Sequence, residues 1–259
     1  MSRLIFLLCC LVCASGARGQ LVYTGGVVRQ DFDSLPRGDV FDLSDFGIAK
    51  GPAALSAAPI SASAATGWSA FARTGTQLLF MVGNGDVGTS SVYSYGQPAA
   101  KDRALGSLAG LLDASLGWRL LNNTGQALTQ FTLSFYSEQW RNGGTSSLVG
   151  LNGEYQVVAT GDINTGTYTL VPALDAPALS NVAAGFAMNG NSVNNRLERS
   201  ATVTGLTWPP GQMLILRCRD LDETSSDNGV ALADVIFHAP PVASLTMVHD
   251  VQPAAGAQR

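Results

Sequence analysis

The chain has 259 residues, 46% of them hydrophobic and only 13% charged, with 15 Lys and Arg against 19 Asp and Glu. The net charge of −4 and the scatter of the basic residues exclude nucleic acid and anionic membrane surfaces as natural partners. No segment beyond the first twenty residues is apolar for long enough to cross a bilayer as a helix.

The chain opens MSRLIFLLCCLVCASGARGQ. Arg3, an apolar run from Leu4 to Ala14 and small residues after it have the anatomy of a secretory signal peptide over residues 1–19. Ala17 and Gly19 have the spacing of a cleavage site after Gly19. A lipid-attachment cysteine wants a small residue before it, and Cys9, Cys10 and Cys13 follow Leu8, Cys9 and Val12. The expected location is outside the cytoplasm: secreted, at the cell surface or in a periplasm. Removing Arg3 and Arg18 leaves 15 − 2 = 13 basic residues against 19 acidic ones, a net of −6. Cys218 is then the sole cysteine, so no internal disulfide can form and the apolar core must hold the fold. The remaining length is ample for such a core.

Short runs rich in Val, Thr, Leu, Phe and Tyr alternate with Gly, Asn, Asp and Ser, the pattern of strands joined by turns. The strand candidates are LVYTGGVV (21–28), QLLFMVG (77–83), GWRLLN (117–122), ALTQFTLSFYSEQW (127–140), GEYQVVA (153–159), GTYTLV (166–171), ERSATVTGL (198–206), QMLILRCRD (212–220) and GVALADVIF (229–237). Turn chemistry lies between them at Asn122–Gly125, Arg141–Gly144, Asn152-Gly153, Asn189–Asn191 and Pro209–Gly211. One helix is expected, ALGSLAGLLD over 104–113. The Ala/Ser/Pro-rich stretch 50–66 is expected to be a loop, and residues 239–259, after His238, a disordered tail. The expected fold is all-β: a two-sheet antiparallel β-sandwich, jelly-roll-like, over residues 20–238.

Two stretches carry candidate chemistry. In FTLSFYSEQW, strand alternation puts Phe131, Leu133 and Phe135 on a core face and Tyr136, Glu138 and Trp140 on the other. Two aromatics flanking a carboxylate can take a sugar, the rings stacking on its apolar face and the carboxylate accepting its hydroxyl hydrogens. The structural alternative has Trp140 covering a sheet edge and Glu138 paired with Arg141, Arg217 or Arg219. In RCRDLDETSSDNGVALADVIF (217–237), Asp220, Asp222 and Asp227 have spacing compatible with a structural Ca²⁺. The EF-hand pattern is absent, since Ser225 stands at its glycine position and Ala231 at its final glutamate. Asp227-Asn228-Gly229 is a strong hairpin-turn signal, and a plain turn is the favoured reading, with which a Ca²⁺ would be compatible.

Other chemistries find little support. His238 and His249 are too few and too scattered for zinc or a serine-hydrolase triad, and Gly67-Trp68-Ser69-Ala70-Phe71 lacks the last glycine of a nucleophile elbow. GNGDVG (83–88) lacks the Gly-Lys-Ser/Thr ending of a phosphate loop.

The stretches DFDSLP (31–36), YSYGQPAAKDRALGSLA (93–109), SEQWRNGG (137–144), MNGNSVNNR (188–196), WPPGQMLILRCRD (208–220) and SDNGVALADVIF (226–237) carry a resemblance. In order and spacing the chain resembles a group of secreted bacterial jelly-roll-like β-sandwich domains, found in exported and surface proteins that often bear a sorting tail. The resemblance implies fold and architecture and no particular activity. It also shows departures: Cys218 stands where such domains often have Trp, and Ala233-Asp234 replaces two adjacent acids near the last strand, so no two-acid role carries over. The functional expectation is a non-enzymatic extracellular or surface module. It would bind carbohydrate or another surface polymer through Tyr136, Glu138 and Trp140. The alternatives are a polysaccharide hydrolase with Glu138 as its acid and a purely structural envelope protein.

Overall fold

The computed structural model describes residues 19–37, 58–59, 65–72, 80–110, 113–144, 150–222 and 226–241. Apart from their inner ends, the expected signal segment 1–19 and tail 239–259 lie outside the described residues, as does most of 50–66. Among the described residues there are fifteen strands: β1 (Leu21–Tyr23), β2 (Val27–Gln30), β3 (Ala58–Pro59), β4 (Trp68–Ala72), β5 (Phe80–Gly83), β6 (Ser91–Tyr95), β7 (Ala104–Leu108), β8 (Ala114–Asn122), β9 (Leu128–Asn142), β10 (Leu151–Val158), β11 (Thr169–Leu170), β12 (Phe186–Ala187), β13 (Arg196–Trp208), β14 (Met213–Asp220) and β15 (Gly229–His238). No helix among the described residues is long and apolar enough to cross a membrane.

The period-2 rule sorts the long strands onto two sheets. In β14, Leu214, Leu216 and Cys218 enter the main core, while Met213 and Ile215 join a small cluster on the opposite face. In β9, Phe131, Leu133 and Phe135 enter the same main core. Sheet 1 runs β11-β10-β14-β8-β4-β3, with β1 also beside β8. Sheet 2 runs β12-β9-β15-β7-β6-β5, with β13 also on β9 and β2 on β15. The two face each other as an all-β sandwich, and the pairing is antiparallel except for β1 with β8 and β5 with β6.

Aromatic rings fill the space between the sheets. Phe237 of β15 is the hub, 5.3 Å from the Tyr23 ring, 5.8 Å from Phe131, 5.9 Å from Trp118 and 6.2 Å from Trp208. Trp118 in turn stacks on Trp68 at 5.2 Å. Burying such rings supplies the apolar stabilisation that a fold with no disulfide among its described residues needs. Little space is left over: the interior gap between Trp68, Trp118, Phe135 and Leu216 is ≈ 20 Å³, about the room of one water.

Three expectations are corrected. LVYTGGVV is not one strand: Gly25 and Gly26 take φ of +103° and +77°, a conformation open to glycine, and send β1 to sheet 1 and β2 to sheet 2. The Tyr23 hydroxyl ties this crossing to the far end of the domain, donating to Gly26 O at 2.8 Å and accepting from Ala239 N at 2.9 Å. Residues 104–108 are strand β7 rather than helix. All five are buried, and a Cβ on Gly106 would lie 2.5 Å from Val230 O, so only a close-packed extended backbone fits between β6 and β15. Finally, β14 and β15 do not form a hairpin. They lie in opposite sheets, so Asp220–Gly229 is a crossing from one layer to the other.

Candidate functional site

The residues expected to form a sugar platform lie on the outer side of β9, and at Glu138 and Trp140 that side is covered. Trp140 is 0% exposed. Its ring stacks on Tyr95 at 5.8 Å and 3°, and Tyr95 stacks on Tyr93 at 4.6 Å. On its other flank the 188–195 loop closes over it. Met188 N donates to Trp140 O at 2.7 Å, and a Cβ on Gly190 would meet the indole nitrogen at 2.3 Å. Glu138 is also 0% exposed and accepts from Trp140 Nε1 at 3.2 Å.

The partner of Glu138 is none of the three arginines expected. It is Arg196 of β13, whose Nη2 lies 3.4 Å from Glu138 Oε1 and 3.1 Å from Asp234 Oδ2. Burial pushes the Glu138 carboxyl up to about 7, against the opposing pull of Arg196 and the indole N–H. Tyr136 is half-buried beneath the Arg196 guanidinium, which sits 3.9 Å from its ring centre. The structure therefore brings Tyr136, Glu138 and Trp140 together, but as a small second core with a buried ion pair. A sugar has no ring face to stack on at Trp140, and Glu138 has no surface from which to reach a glycosidic bond.

The aspartates of the crossing segment separate rather than converge. Asp220 is 4% exposed and points inward, accepting from Ser107 Oγ at 2.7 Å and from Ala109 N at 3.0 Å. It is a strut between the sheets, and burial pushes its carboxyl up to about 7. Asp222 is exposed and donates its backbone N–H to Asp113 Oδ1 at 3.1 Å. Asp227 is half-buried. It precedes Asn228, whose Oδ1 accepts from Gly143 N at 3.0 Å and Gln139 Nε2 at 3.2 Å. Among the described residues, which omit 223–225, no three His, Cys, Asp or Glu side chains gather as a metal would require. A Ca²⁺ shell of six to eight oxygens does not fit Asp220, Asp222 and Asp227 as placed. Unfolding midpoints with millimolar Ca²⁺ and with chelator are expected to coincide. A rise of several degrees with Ca²⁺ would show a site in the segment after all.

An open concave feature among the described residues lies instead on the outer face of sheet 1. It is a groove of ≈ 450 Å³ lined by Phe71, Asp113, Ser115, Asn164, Gly166, Arg217 and Arg219, within the range of about 300–1,000 Å³ usual for ligand sites. Strand register builds it. Phe71 of β4 pairs with Ser115 of β8, which pairs with Arg219 of β14. The next row is Ser69, Gly117 and Arg217. Phe71 and Arg219 thus stand two strand spacings, about 10 Å, apart on one face.

The 159–168 loop makes the other wall. Gly117 leaves a dent in the sheet into which Ile163 packs; a Cβ there would come 2.4 Å from Ile163 Cγ2. Arg217 then fastens the loop. Its Nη1 donates to Ile163 O at 2.7 Å, its Nε to Glu154 Oε1 at 2.6 Å, and its Cζ lies 3.5 Å from the centre of the Tyr168 ring. Arg219 donates to Asp113 Oδ2 at 2.5 Å with 43% of its side chain exposed. Sequence reasoning assigned none of these residues to a site. The alternation in MLILRCRD does put Arg217 and Arg219 on the face opposite Leu216 and Cys218, but Phe71 and Asn164 join them only through non-local pairing.

No protein-family model matches the chain, and no curated protein matches it either. Among solved structures, the enzymatically active domain of bacteriophage CBA120 tailspike protein 4 is similar at TM-score 0.36 and 11% identity. The match covers 67% of this chain and 19% of that one, so the chain spans about a fifth of the tailspike domain. The K3 cleaved adhesin domain of Lys-gingipain from Porphyromonas gingivalis matches at TM-score 0.36 and 14% identity, covering 66% of this chain and 91% of that one. TmCBM61, solved in complex with β-1,4-galactotriose, matches at TM-score 0.33 and 7% identity, covering 78% and 99%. At TM-scores below 0.5 these likenesses say nothing of what this chain binds.

Proposed function

We propose that this protein is an exported, non-enzymatic binding module whose ligand is a glycan or a similar hydroxyl-rich surface polymer, held in the groove on sheet 1. The groove itself carries the reading: an open polar trough with one aromatic wall, Phe71, facing Ser115, Asn164, Arg217, Arg219 and Asp113. A sugar presents an apolar ring face and a rim of hydroxyls, and this lining offers a ring to stack on and donors and acceptors at the rim. A lipid or aromatic ligand would desolvate the Arg219–Asp113 pair and bring no acceptor to the remaining Arg219 N–H groups. Export follows from the expected signal segment, and the exported β-sandwich group that the sequence resembles is consistent with it. The hydrolase alternative loses its acid with the burial of Glu138.

The test is affinity electrophoresis of the purified protein through gels carrying a panel of plant, algal and bacterial polysaccharides. Retardation by at least one polysaccharide is expected, weakened ten-fold or more by Phe71→Ala. Because Phe71 also packs against the small cluster of Ile163, Met213 and Ile215, Asn164→Ala serves as a second variant, and both are checked for an unchanged fold by circular dichroism. Retardation by no polysaccharide, or retardation that both variants leave intact, overturns the reading.

A further inference from the structure

We infer that the groove on sheet 1 selects a glycan bearing an isolated carboxylate, a uronate unit on an otherwise neutral chain, with Arg219 as the residue that reads the acid. This rests on the groove being the binding site. The two guanidinium groups there have different tasks. Arg217 is held by two nitrogens, its Nε on Glu154 and its Nη1 on Ile163 O, with its face on Tyr168 and only 12% of its side chain exposed, so it acts as a wall. Arg219 is held by one nitrogen only. Among the described residues its Nη2 donates to Asp113, and its remaining N–H groups have no hydrogen-bond partner.

A guanidinium donates and never accepts, so whatever fills the groove beside Arg219 must bring acceptors. A carboxylate satisfies two parallel N–H groups at once, which a hydroxyl cannot. Phe71, two strands away in the same row, is placed to take the ring of the same or the adjoining sugar.

Charge bookkeeping narrows the ligand further. Arg217 and Arg219 are balanced by Glu154 and Asp113, so the groove exerts no strong positive field and the chain as a whole is acidic. A dense polyanion would be repelled along the rest of the surface, whereas a single acid group gains the local fork.

The experiment pairs neutral-backbone polysaccharides that carry single uronate branches, such as glucuronoxylan, with their carboxyl-reduced twins, which keep shape and linkage and lose the charge. Binding of the intact protein is measured by isothermal titration. At least one acidic form is expected to bind ten-fold or more tightly than its twin. Arg219→Gln should abolish that difference, and Arg219→Lys should restore only part of it. The side chain is substantially exposed, so unfolding midpoints should not move. Equal binding of acid and twin, or a difference that survives Arg219→Gln, overturns the inference while leaving the glycan reading in place. Binding of neither member of any pair, with no retardation on the wider polysaccharide panel, overturns both.

Discussion

Trp140→Ala is expected to destabilise the domain by about 3–5 kcal/mol, the cost of deleting a fully buried large aromatic. For a domain of this size that lowers the unfolding midpoint by roughly 6–20 °C. The indole ends a packed stack that continues through Tyr95 to Tyr93. Gly190 lies against it, at a point where no larger residue fits. Its loss also removes the N–H that Glu138 Oε2 accepts, leaving a buried carboxylate with less compensation. Trp140→Phe keeps most of the stack and forfeits the hydrogen bond, so a smaller loss is expected. Differential scanning calorimetry distinguishes this from the platform reading. A Trp140→Ala protein that melts like the parent but no longer binds glycan would restore the indole as a contact residue.

The second large effect is a gain of stability on mild acidification. Asp220 ordinarily titrates near 3.8 and is pushed up to about 7 in the fold by burial; Glu138 rises from 4.5 to about 7 for the same reason. Both shifts have the same sign. Between the two values the folded state binds more protons than the unfolded one, so protonation favours folding. The contribution is complete below about pH 4 and is lost as pH rises through about 7. The midpoint should therefore be several degrees higher at pH 5.5 than at pH 8, on the order of 1–3 kcal/mol from the two groups together. Asp220→Asn keeps the shape between Ser107 and Ala109 and removes one titration, so it should flatten much of the slope. A midpoint that falls on acidification, or a slope that Asp220→Asn leaves unchanged, contradicts the assignment of Asp220 as a buried inter-sheet strut.

The legible part of the fold was the part where one strand face is wet. The alternation in β9 assigned Phe131, Leu133 and Phe135 to the core correctly. Strands buried on both faces carry no alternation, which is why β7 read as a helix and β6, SVYSY, was not picked out. Sheet membership was also hidden. LVYTGGVV and the 220–229 crossing look like hairpin material locally, and only pairing with distant β8 and β15 assigns their ends to different layers.

The site followed the same logic. Alternation placed Tyr136, Glu138 and Trp140 on the face away from the core. That such a face is open to solvent did not follow, because the cover comes from Tyr95 and the 188–195 loop, far away in sequence. Conversely, the groove needs Phe71, Ser115 and Arg219 in one row, and that row exists only once β4, β8 and β14 are in register.

Cys218 turns the main core into its own reporter. It is a free thiol, the sole cysteine among the described residues, sealed between the sheets, where burial pushes it up to about 12. A thiolate-seeking reagent finds nothing to attack while the layers stay together. Labelling must wait for them to part, so its rate at different reagent concentrations measures how often the sandwich opens and how far from unfolding each variant stands. That clock needs no engineered probe, and it keeps time equally in oxidising and reducing surroundings, since no disulfide among the described residues holds the layers shut.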